Sequence, residues 1–202
     1  MKSAVFDIVR EMNRGSVECQ MVLQCAPVLA GVKISNLLIV EADALSRVCK
    51  LLGGSSIRCF LLKRDKAKVV VFLYYPKKLQ EYLLQEDVGH FMKRSGYEDC
   101  SYWRVLSHFQ KRYLDYMEHL REFPHEMGIL LGYPVEDVVG FQENCGREFL
   151  YTGYWKVYGH LVEKLMLFRL YEQVKEQQIQ MLAAGLKVSE MMFLYETLPC
   201  HI

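Results

Sequence analysis

His125, Glu126, Tyr154, Trp155 and Lys156 are the side chains whose types and spacing suit recognition of a small ligand. A histidine exchanges a proton near neutral pH, a glutamate accepts hydrogen bonds, and a lysine attracts an anion. A tyrosine–tryptophan pair covers a flat or apolar group and keeps a polar edge for hydrogen bonding. All five fall within FPHEMGILLGYPVEDVVGFQENCGREFLYTGYWKVYGH, residues 123–160, which holds two prolines, six glycines, two histidines, one cysteine, one of the two tryptophans and four tyrosines. Nowhere else in the chain are turn residues and reactive side chains so dense.

Cys25 offers a second chemistry. Cys25-Ala26-Pro27, with Gly31 four residues after the proline, reads as a break, one helical turn and a stop. A thiol just before a helix start ionises more readily, which makes Cys25 the reactive-thiol candidate; the alternative is a buried, inert cysteine. Cys25 or Cys145 paired with His125 would supply a nucleophile and its base, but no local signature assigns a catalytic residue. The seven cysteines, at 19, 25, 49, 59, 100, 145 and 200, contain no Cys-x-x-Cys. Zinc-ribbon and iron–sulfur spacing is therefore absent and no metal set is assigned. Cys200-His201 has ligand chemistry without partners nearby.

Two short helices and a hairpin must position the main cluster. Proline suits a first helical turn, and acids follow both Pro124 and Pro134, where the helix dipole favours them. Gly132 and Gly146 mark the ends. The pattern predicts helices over about 124–131 and 134–144. From Phe149 to Tyr158 the period becomes two around Thr152-Gly153, which predicts an aromatic hairpin. Helix N-termini beside such a hairpin would make a pocket wall. The same aromatic residues could instead pack a joint between sheet and helices.

Upstream, 34–40, 57–62 and 68–75 read as strands of one sheet, the last two joined through Arg64-Asp65-Lys66. The continuous apolar run from Val69 predicts a central strand with Val69, Val71 and Leu73 buried. Helices are expected over about 4–13, 16–24, 43–52 and 76–95. A longer one carries Tyr102, Leu106, Phe109, Tyr113, Tyr116 and Leu120 as its apolar stripe. The last long helix covers 160–184, and a terminal segment, 188–198, docks behind it. The polar run from Gln173 to Gln180 suggests that part of helix 160–184 projects, or pairs with a protein partner or a second copy. The expected class is α+β: a single compact domain with a small mixed or antiparallel sheet of three to five strands, covered by helices. The sheet lies within 1–100, and 101–202 is mainly helical with a small hairpin.

With 25 basic and 24 acidic residues the formal net charge is +1, so no global field draws the chain to nucleic acid or membrane. Seven basic residues and one acidic lie between Arg58 and Lys78; without a stacking pattern or motif they read as a solvated hairpin guarded by lysines. Charges at Asp7, Arg10 and Glu11 argue against a signal peptide, and no apolar run reaches membrane-span length. These features imply a cytoplasmic protein.

FPHEMGILLGYPVEDVVGF with YTGYWKVYG resembles an uncharacterised bacterial family, a domain of unknown function found mainly in anaerobes. CAPVLAGVKISNLL, residues 25–38, is similar to that family's N-terminal signature, and YYPKKL, residues 74–79, to a third segment. The resemblance spans most of the chain. It implies no established activity; the family's association with flavodoxin-type and ferrous-iron-uptake genes implies a link to iron or redox metabolism. Three functions follow: a ligand- or partner-binding accessory protein, a thiol/His-dependent enzyme, or a haem or metal binder. The sequence designates no particular cofactor.

Overall fold

The apolar run that begins at Val69 forms the middle of a three-stranded sheet. In the computed structural model, which describes residues 3–197, β3 (Lys68–Tyr74) pairs antiparallel with β1 (Ser35–Glu41) and β2 (Arg58–Arg64), in the order β1-β3-β2. Val69, Val71 and Leu73 are fully buried, and so is Phe72 between them. Both faces of β3 are covered, which is why its sequence shows no polar alternation. Val71 pairs with Leu38 on one side and Leu61 on the other. A bulge between Leu61 and Lys63 shifts the register of β2 and leaves Leu62 buried. The fold is α+β, a small antiparallel sheet with helices.

The chain packs as two compact units. One takes the chain up to Tyr74 and from Arg169 onward; the other is Tyr75–Phe168. The sheet unit contains α1 (Ser3–Glu11), α2 (Val17–Leu29), α3 (Leu45–Leu51), most of α9 (Leu161–Ala183) and α10 (Val188–Thr197). Ser16 caps α2 by accepting the Cys19 N–H at 3.2 Å. The expected break at Cys25 is absent: α2 continues through Pro27. Proline stands in the last turn, where only one helical bond is forfeited, and its carbonyl accepts the N–H groups of Val32 and Lys33 at 3.0 Å each. The run from Gln173 to Gln180 does not simply project. Val174 and Ile179 are buried, and so is Gln178, whose amide donates to the Ala26 carbonyl at 2.9 Å.

The second unit is helical. It comprises α4 (Pro76–Leu83), α5 (Glu86–Arg94), α6 (Tyr102–Met117), α7 (Glu126–Leu130), α8 (Val135–Glu143), the hairpin β4 (Tyr151–Thr152) and β5 (Lys156–Val157), and the first two turns of α9. The helix expected over 76–95 divides because Gln85 is extended and leaves Leu84 exposed. The stripe of α6 is buried at Leu106 and Phe109, with Val105 beside them, but Leu120 lies beyond the helix and is exposed. His119, at a φ of 60°, takes the left-handed position that ends the helix. No helix among the described residues is long and apolar enough to cross a membrane. Cys200 and His201 lie outside the described residues.

Candidate functional site

Asp137, in the first turn of α8, holds the hairpin in place. Its carboxylate is buried. Oδ2 accepts the Trp155 indole N–H at 2.7 Å, and Oδ1 accepts the backbone N–H groups of Tyr158 and Gly159 at 2.7 and 3.4 Å. Lys164 Nζ, also buried, lies 3.9 Å from Oδ2 and pairs closely with Glu136. A buried carboxylate is tolerated when its lone pairs and charge are matched, and here the matching groups span β5 to the start of α9.

Two glycines permit the close packing. A Cβ on Gly140 would stand 2.5 Å from the Tyr158 ring, and one on Gly153 would stand 2.4 Å from the Phe168 ring. Trp155 therefore settles between Tyr133, stacked at 4.7 Å and 24°, and Phe168, edge-on at 4.6 Å and 84°. The hairpin is shorter than the sequence suggests, because Gly153, Tyr154 and Trp155 form its turn.

A cavity of about 390 Å³ opens between the hairpin and the two short helices. Phe123 and His125 line one end, Tyr133 and Phe141 the helical side, and Thr152 through Lys156 the hairpin side. His125, Tyr154, Trp155 and Lys156 thus border one space. The His125 ring meets Phe123 edge-on at 5.4 Å and Phe141 at 5.7 Å. Burial pushes its pKa below the usual histidine value, against smaller opposing pulls from Glu126 and Glu122. The imidazole is consequently neutral at pH 7, with one nitrogen able to accept a hydrogen bond. Lys156 Nζ donates to the Gly146 carbonyl at 2.6 Å and lies 4.7 Å from the Phe149 ring centroid, so its charge is held at the rim.

Glu126 is not part of this wall. Its side chain is buried and receives Arg112 Nε at 2.7 Å and the Tyr97 hydroxyl at 2.9 Å. Burial, reinforced by the Glu126 carboxylate, pushes the Tyr97 hydroxyl well above the usual phenol range. Cys25 sits inside α2 rather than ahead of a helix, fully buried, with its thiol donating to the Leu37 carbonyl. Burial pushes the thiol up to about 12, the opposite of the setting that activates a nucleophile. Cys145 is exposed after α8 and does not line the His125 cavity. Among the described residues, no three His, Cys, Asp or Glu side chains are grouped to hold a metal.

A direct consequence is an order of thiol reactivity. Among the described cysteines, iodoacetamide at neutral pH, mapped by mass spectrometry on the native protein, should label the exposed Cys49 and Cys145 first and leave Cys25 and Cys19 unmodified. Labelling of Cys25 at the rate of Cys49 would contradict its placement.

Tyr133, Asp137 and Phe141 take part in the site, although the sequence pattern left Tyr133 between the two predicted helices and gave Asp137 and Phe141 no role beyond the second helix. Their one signal was Asp137 adjoining Val138 and Val139, a charge set in an apolar stretch. A family model described as a protein of unknown function, DUF3793, matches residues 21–192. The chain belongs to the DUF3793 family. The matched range contains Cys25, the three strands and the whole cavity, so the site lies inside the family's domain. No curated protein and no solved structure matches the chain.

Proposed function

We propose that this DUF3793 protein is a binding protein for a small, flat, mainly apolar molecule held in the cavity of α7, α8 and the hairpin. The observation that carries the reading is the wall itself: Tyr133, Trp155 and Phe141 surround one space beside the neutral His125. Ligand pockets are mostly apolar with a few placed polar groups, and this one combines aromatic side chains with the His125 imidazole. Its volume lies at the small end of the ligand-pocket range, which suits one or two fused rings. The buried Asp137 fixes the Trp155 indole before any ligand arrives, so little ordering cost remains for binding.

The test uses 2-naphthol, whose hydroxyl can donate to His125 while its rings fill the cavity. Equilibrium dialysis should show one saturable site. Thr152→Trp, on an exposed strand position that tolerates an aromatic residue, should block it without lowering the melting temperature. His125→Ala should weaken binding about tenfold, the worth of one hydrogen bond of the upper ordinary strength. Absence of saturable binding by the native chain, or undiminished binding in Thr152→Trp, would overturn the assignment.

A further inference from the structure

Beside the aromatic cavity lies a second one of about 480 Å³ with a different lining. Arg94 from the last turn of α5, Arg112 from α6 and Arg121 from the following loop converge on it, with Gln142 of α8 opposite. The two cavities share Phe123 and His125. We propose that they are two halves of one site, and that its ligand is an aromatic or similarly flat apolar group bearing an oxyanion, with a phosphate monoester the best match. The inference rests on the binding function proposed above and specifies the class of molecule bound.

Three observations support the anionic half. The arginines come from three separate segments, so their approach is a product of the fold rather than of a local basic run. Two of them retain capacity for a ligand. Arg94 is exposed and has no ion-pair partner among the described residues. Arg121 makes a single longer pair, Nε to Asp115 Oδ2 at 3.4 Å, with its side chain 60% exposed. The third, Arg112, is committed to Glu126 at 2.7 Å and to the Ser95 carbonyl at 2.7 Å, and this neutralises the buried acid on that wall. Glu122 is the remaining acid in that lining, and it is exposed. Guanidinium groups bind phosphate and carboxylate oxygens through paired donors, which favours arginine over lysine in such a place. His125 lines both cavities, with its ring against Phe123 and Phe141. A ring seated against Trp155 and Tyr133 would therefore extend its substituent past His125 towards Arg94 and Arg121.

Equilibrium dialysis with 2-naphthyl phosphate and 2-naphthol separates the two halves. The native protein should bind the phosphate at least tenfold more tightly than the alcohol, and the two should compete. In the double variant Arg94→Gln/Arg121→Gln, both changes at exposed positions, that advantage should vanish while 2-naphthol binds as before. A control, Lys66→Gln/Lys187→Gln, makes the same change in net charge at exposed sites elsewhere and should leave the advantage intact. Equal affinities in the native protein, absence of competition, or an advantage that survives in the arginine variant would overturn the bipartite site and leave the apolar cavity standing. Failure of both compounds to bind would remove the binding function itself and this inference with it.

Discussion

Replacing Asp137 by alanine is expected to cost the fold about 3–5 kcal/mol, the usual penalty for removing one partner from a buried charged network. The substitution leaves the buried Trp155 indole N–H and the part-buried Tyr158 and Gly159 backbone N–H groups without their acceptor. Each unsatisfied donor carries its own desolvation penalty. Urea titration of the full chain should show the loss as a lowered midpoint. Asp137→Asn should lose less, because one oxygen can still accept while the new amide group faces donors. A cycle with Trp155→Phe isolates the side-chain bond: once the indole N–H is gone, Asp137→Ala should cost about 1–2 kcal/mol less than in the native background. If Asp137→Ala changed stability by under about 1 kcal/mol, the carboxylate would not be the element that fixes the hairpin.

Glu126→Ala should produce the second large effect on stability. The carboxylate is buried against Arg112 and Tyr97. Because the Arg112 side chain is 27% exposed, it can regain water, which places the expected loss near the lower end for buried pairs, about 2–3 kcal/mol. Affinity for 2-naphthol should stay unchanged below the melting transition, since Glu126 does not border the aromatic cavity. A stable Glu126→Ala protein with lost naphthol binding would instead return this residue to the recognition surface.

How far each feature could be read from sequence depends on the range of the interaction behind it. The three strands and the buried centre of β3 were legible because an uninterrupted apolar run carries its own signal. The starts of α7 and α8 were legible because proline followed by acid is a local code. The environment of Glu126 was not, since its partners Tyr97 and Arg112 lie far back in the chain, and an acid one residue from a histidine looks like recognition chemistry whichever way it points. Cys25 misled for a related reason. Pro27 suggests a helix start, but in the last turn of an existing helix it costs only one backbone bond, and the carbonyl contacts from Val32 and Lys33 close that end. Gln178 shows the same limit: a single glutamine in a polar run gives no sign that its amide will meet the Ala26 carbonyl.

The helical unit is inserted into the sequence of the sheet unit, and this dictates an order of assembly on the ribosome. Tyr75–Phe168 has all its residues as soon as Phe168 emerges, whereas the sheet unit still awaits Arg169 onward. The missing part includes Gln178, which bonds Ala26, and α10, which packs on α2. At a synthesis rate of about 5–20 residues per second, the apolar side of α2 stays without its C-terminal cover for roughly ten seconds after β3 is complete. The usual N-terminal-first sequence is thereby inverted: the inner segment is complete first, and the oldest part of the polypeptide, up to Tyr74, is the one left waiting for its partner residues.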